Sequence, residues 1–182
     1  MTHWPDRLPP AGIGEAQALA HMSEAVRMRS AQLGGPSALA HMDPPPPAFV
    51  AELVGLNAQY NQNLLHPDLS PLATRAERRV IDWLAPAFGM SCGHMCAGSS
   101  LGNLTALWAA REAGATRVIA SADAHLSIGK AAHILGLPFE AVPVDANGRM
   151  RPPDGLGEAA LVLTAGTTGR GAIDPLQPTQ AL

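Results

Sequence analysis

From residue 94 onward the chain alternates short apolar runs with helical stretches, and most of the junctions carry glycine or another small residue. This alternation constrains the fold more than any other feature. Arg117 to Ser121 reads as a strand, and Ser127 to Leu135 as a helix that ends at Gly136, a residue that tolerates the left-handed turn closing a helix. Glu140 to Val144 and Leu161 to Thr164 read as two further strands. Ahead of them, His94 to Ala97 reads as a short strand leading through a small-residue turn into a helix over 103–113. Strands separated by helices predict an α/β domain with a mostly parallel sheet and crossover helices. Ligands of such sheets sit beyond the C-terminal ends of the strands.

The first part of the chain has a different character. Residues 14–33 read as a helix with Leu19, Met22, Val26 and Leu33 roughly on one face, stopped by Gly34-Gly35-Pro36. Prolines cluster at Pro9-Pro10 and Pro44 to Pro47; they break helices, so 40–47 is expected to be extended and to act as a joint. Phe49 to Leu56 reads as a short helix, and 61–71 as a loop. Thr74 and Glu77 have capping-box spacing, which predicts a helix start there. Val80, Trp83, Leu84, Ala87 and Phe88 then recur at helical spacing, with Gly89 as the stop. The reading divides the chain into an N-terminal helical, proline-rich segment, 1–60, and an α/β domain, 61–182. Gly171 to Leu176 resembles the exit from a strand into another crossover, and the sequence finishes six residues later, so the domain is expected to be incomplete.

Composition removes several classes of function. With 182 residues, 47% of them apolar, one core can form without disulfides or metals. A net charge of −3 and a pI near 6.1 speak against a dedicated nucleic-acid surface, which needs clustered cations. No stretch approaches the roughly 20 apolar residues that span a bilayer. The N-terminus lacks the basic-then-apolar order of a signal peptide, so a cytoplasmic setting is expected. Cys92 and Cys96 cannot form a disulfide framework, and Cys92-Gly93-His94-Met95-Cys96 has no second ligand pair for a closed zinc site. No metal is expected; Met95 and Cys96 read as core.

Three motifs carry chemistry. Gly98-Ser99-Ser100 opens a helix, where free N–H groups and the positive dipole end suit a phosphate, although a plain cap has the same composition. The spacing of Gly98 and Gly102 fits neither a Walker loop nor a dinucleotide fingerprint. His125 follows the strand Arg117 to Ser121, where an imidazole can stack on a ring, handle a proton or make a local hydrogen bond. Ala165-Gly166-Thr167-Thr168-Gly169 follows the last strand; its hydroxyls serve a ligand or a turn.

In their order and spacing these motifs, with AHMDPPPP (40–47) and LHPDLSPLATRAERRVIDWL (65–84), resemble the group II pyridoxal-phosphate-dependent amino-acid decarboxylases. The resemblance runs from about residue 39 to 176. It implies part of a fold-type I large domain of the aspartate-aminotransferase kind, an intimate homodimer, and a carboxy-lyase acting on an amino acid. Residue by residue, Gly98, Ser99 and Ser100 match the family's phosphate turn, and Asn103 the asparagine that follows it. Leu101 stands where the family commonly has Glu. His125 matches the histidine that stacks on pyridoxal 5'-phosphate, and Thr168 a threonine near its ring; Thr164, at the strand end, is carried over with them. The family's Schiff-base lysine and ring-nitrogen aspartate lie beyond the third motif. Lys130, the only lysine, falls on the helix after His125, and Asp174 matches the family's Gly-Ala-Ile-Asp-Pro loop, so neither takes those roles. The chain by itself is therefore expected to be inactive. Two alternatives stay open: another fold-type I lyase or aminotransferase, and a non-catalytic chain binding a partner or a phosphorylated ligand.

Overall fold

The computed structural model describes Arg7, residues 9–39 and residues 43–176. It divides into two compact units, Met1–Thr74 and Arg75–Leu182. In the first unit, α1 (Glu15–Arg29) and α2 (Phe49–Tyr60) contain no buried residue. Leu19, Met22 and Val26, expected along one face of α1, are all exposed. The helix read as 14–33 ends at Arg29, and the one read as Phe49 to Leu56 continues to Tyr60. Residues 43–47 are without regular structure, while 40–42 of the expected extended segment lie outside the described residues.

Helix α3 (Pro71–Leu84) corrects the expected start at Thr74. Pro71 opens it, where its missing N–H leaves no unpaired donor. Thr74 sits one turn inside, and its Oγ1 donates back to the Ser70 carbonyl at 2.9 Å, so it caps nothing. Buried Ser70 accepts the Asn63 N–H on its Oγ at 2.8 Å and fixes the entry to the helix. A 3-10 turn, Ala85–Phe88, follows and ends at Gly89 in the left-handed conformation (φ 67°), as the sequence predicts.

Every buried apolar residue among those described lies at or after Ala85. The expected strand at His94 to Ala97 does not form; the segment is irregular and exposed. Met95 and both cysteines are exposed as well, which corrects their assignment to the core. Helix α4 (Ser99–Glu112) starts four residues before the expected 103–113. Its Gly102 lets the Cys96 thiol lie close, since a Cβ there would stand 3.0 Å from Sγ. Near its other end, the Arg111 guanidinium, together with the Trp108 N–H, holds the Glu112 carboxyl below the usual carboxylate range.

Strand β1 (Arg117–Ser121) and helix α5 (Ser127–Leu135, closed by Gly136 at φ 69°) form where the sequence places them. Strands β2 (Phe139–Val142) and β3 (Ala159–Val162) begin one and two residues earlier than expected. The sheet is parallel with order β2-β1-β3, registered by Val118 opposite Phe139 and Arg117 opposite Ala159. Period-2 alternation sends Val118 and Ala120 to one face. There they pack with Leu107 of α4 and with Ile128, Ala131 and Ala132 of α5. The small residues of α5 allow close approach; a Cβ on Gly129 would already touch the Phe139 ring at 3.5 Å.

Candidate functional site

Because β1 and β3 are parallel neighbours, the segments that leave their C-terminal ends emerge at one edge of the sheet. His125 lies on the first and Thr164 to Asp174 on the second. An ion pair between Arg170 Nε and Asp123 Oδ2, at 3.9 Å, joins the two segments. Both side chains are partly exposed, so the pair orients more than it stabilises. The start of α4 reaches the same place: the Asn103 amide Nδ2 donates to Ser127 Oγ at 2.8 Å.

At the start of α4, Gly98 takes φ 114°, ψ 154°, a region that only glycine enters readily. No side chain caps the helix, and the first intrahelical bond there runs from the Gly102 N–H to the Gly98 carbonyl at 3.0 Å. The N–H groups of Ser99, Ser100 and Leu101 are therefore left for an outside acceptor. The first turn contains no acidic residue, and Gly98, Ser99 and Ser100 are exposed. Free donors, the positive end of a four-turn helix and no competing carboxylate suit an anion.

His125 is exposed, but one edge of its ring is held. Nδ1 accepts the Ser127 backbone N–H at 3.2 Å and lies 2.8 Å from Ser127 Oγ. Ser127, buried at the first position of α5, does not stand out in the sequence, because a serine at a helix start is ordinary. The usable signal was the spacing: a histidine two residues before such a serine reaches it inside the turn.

In the third segment the two threonines separate. Thr167 is buried; its N–H donates to the Ala172 carbonyl at 2.9 Å and its Oγ1 accepts the Ala172 N–H at 3.1 Å. With the bridge between Ala165 and Ile173, these bonds close a tight hairpin. Thr168 stands exposed at its tip, and among the described residues its hydroxyl has no partner in the hairpin. Thr164 is half-buried, its N–H given to Asp174 Oδ2 at 2.8 Å and its carbonyl to the Asp174 N–H at 2.9 Å. Asp174 is 2% exposed, and its other oxygen accepts the Met150 N–H at 2.8 Å. Its carboxylate is a structural clamp at the exit of β3. Lys130 is exposed on α5.

No family model matches the chain. Among curated proteins it is 39% identical, over 94% of its length, to an L-2,4-diaminobutyrate decarboxylase of Rhizobium meliloti. It is 27% identical, over 86% of its length, to an aspartate 1-decarboxylase of Aliivibrio fischeri. The chain spans 39% of the length of each of these relatives. Among solved structures, it matches the glutamate decarboxylase domain of a diaminobutyrate-pyruvate transaminase and L-2,4-diaminobutyrate decarboxylase from Vibrio parahaemolyticus. That match has a TM-score of 0.81 at 23% identity, over 94% of this chain and 45% of the other, and speaks to the fold.

Proposed function

The chain belongs to the group II pyridoxal-phosphate-dependent amino-acid decarboxylases, and we propose that it is the part of such an enzyme that grips the cofactor's phosphate and covers its ring. Its α/β unit is part of a fold-type I large domain. Bound pyridoxal 5'-phosphate supplies an electron sink for the pair left behind when carbon dioxide departs from an amino acid. The residues present fit that group. The free N–H groups of Ser99, Ser100 and Leu101 offer donors to a phosphate dianion, with the Ser99 and Ser100 hydroxyls beside them. Gly98 shapes that turn. His125 offers an exposed ring face, and Thr168 an unspent hydroxyl. Thr164 acts through its clamped backbone, and Asn103 acts through Ser127. The observation that carries the reading is the convergence of α4's uncapped start with the His125 segment, made by the Asn103–Ser127 bond.

The substrate we propose is a short amino acid with a charged side chain, in keeping with the diaminobutyrate and aspartate decarboxylases among the relatives. The exposed apolar side chains of α2, among them Phe49 and Leu53, support a homodimeric assembly. The proposed division into an N-terminal segment, 1–60, and an α/β domain, 61–182, places the boundary ahead of the one between the two compact units, which falls after Thr74. No helix among the described residues is long and apolar enough to cross a membrane. Two free cysteines suit a reducing, cytoplasmic setting.

The test uses the full-length polypeptide with pyridoxal phosphate and a panel of diaminobutyrate, aspartate, glutamate and aromatic amino acids. Release of carbon dioxide from the short charged members is expected. Amino transfer to an oxo acid without carbon dioxide would overturn the assignment. Borohydride reduction of the loaded protein should fix the cofactor on a lysine other than Lys130; label on Lys130 would remove the reading of that residue as surface. The phosphate turn has its own test. A Cβ on Gly98 would meet nothing within 4 Å, so Gly98→Ala perturbs the backbone alone. Strain of about 1–3 kcal/mol is expected to weaken cofactor affinity roughly tenfold in a fluorescence titration.

A further inference from the structure

The hydrogen bonds around His125 form a directed chain. A backbone N–H is only a donor, so the bond from Ser127 N to Nδ1 makes that nitrogen an acceptor. The proton of the neutral imidazole then sits on Nε2. Ser127 Oγ, 2.8 Å from the same nitrogen, shares its lone pair by donating its hydroxyl hydrogen. That leaves the hydroxyl oxygen to accept, and the Asn103 amide donates to it at 2.8 Å. The side-chain links run one way, from Asn103 of α4 through buried Ser127 to the inner edge of the ring.

We infer that Ser127, held by Asn103, is a positioning residue that fixes both the plane and the tautomer of His125. Asn103, which follows the phosphate turn, is thereby the anchor of the histidine. It deepens the proposed function and rests on it: a ring held on one edge presents a constant face to a planar cofactor. In the unheld state it rotates about χ2, and ordering it would oppose binding. Coupling α4 to His125 also means that the phosphate turn and the stacking ring are set by one network.

The experiment is a double-mutant cycle in the full-length protein, read by pyridoxal phosphate affinity and by nitrogen-15 NMR of labelled histidine. Ser127→Ala is expected to weaken the cofactor about three- to tenfold, the effect of one lost hydrogen bond. Ser127→Thr, which restores a hydroxyl, should recover most of it. In a His125→Ala background, Ser127→Ala should add nothing, because its effect passes through the ring. A Ser127→Ala effect that persists undiminished in that background would overturn the inference. The NMR arm is independent of the cofactor. The Nε2–H tautomer of His125, set by the backbone N–H of residue 127, should persist in Ser127→Ala, while the Nδ1 resonance shifts as that nitrogen loses the hydroxyl bond. If His125→Ala left affinity unchanged while Nδ1 in Ser127→Ala still shifted, the stacking proposal would fail and the positioning role would stand. An unshifted Nδ1 resonance would sink the positioning role itself.

Discussion

Replacing Asp174 with alanine is expected to destabilise the α/β unit by about 2–5 kcal/mol, since a buried and a half-buried N–H group lose a charged acceptor together. The donors are Met150 N–H and Thr164 N–H, each 2.8 Å from one carboxylate oxygen. They belong to separate segments, the stretch between β2 and β3 and the exit from β3. The hairpin that carries Thr168 leads directly into Asp174, so one side chain ties three pieces of backbone. Met150 is 1% exposed and Asp174 2%, so water has no ready access to replace the lost bonds. Asp174→Asn keeps the volume but turns an N–H toward one of the two donors, and should recover only part of the loss. Amide hydrogen exchange resolved to Met150 and Thr164 is the direct measurement. Unchanged protection in Asp174→Ala would show that the clamp contributes nothing.

His125→Ala, in the full-length protein, is expected to weaken pyridoxal phosphate roughly tenfold or more and to lower turnover with it. The ring's apolar face and its stacking together account for about 1–2 kcal/mol. A phenylalanine at the same place separates the two things the imidazole does. Phe keeps a ring face but takes no hydrogen bond, leaving the Ser127 N–H and hydroxyl without their acceptor. Affinity in His125→Phe should therefore fall between that of alanine and that of the parent. Equal affinity in all three proteins would mean that the ring does not meet the cofactor.

Legibility in the sequence followed locality. β1 and α5 were read to the residue because the cues are local: a short β-rich run, then a helical stretch with a glycine at its C-terminus. β3 lies two residues ahead of the expected strand because Leu163 and Thr164 continue the strand-like run although ladder pairing ends at Val162. His94 to Ala97 had strand composition but finds no pairing partner among the described residues. Composition alone cannot supply a neighbour. Thr74 and Glu77 had the spacing of a cap, and the proline at Pro71 overrode it by starting the helix earlier. At the site, His125 and the Gly98 turn were visible as residue types in telling places. Thr167 and Thr168 were not separable, because which hydroxyl closes the hairpin depends on Ala172 across it. Ser127 is illegible for the same reason: its partner Asn103 lies 24 residues away.

The central strand β1 waits for both of its neighbours. Its Val118 pairs with Phe139, and its Arg117 with Ala159, so the second pairing closes the larger loop. Parallel pairings of that kind carry an entropic cost before any contact rewards them. The three candidate segments come together only when that loop is shut. A small molecule gripping all three would act as a clasp on the finished topology. Its affinity would then be readable as resistance to unfolding, rising with the logarithm of its concentration.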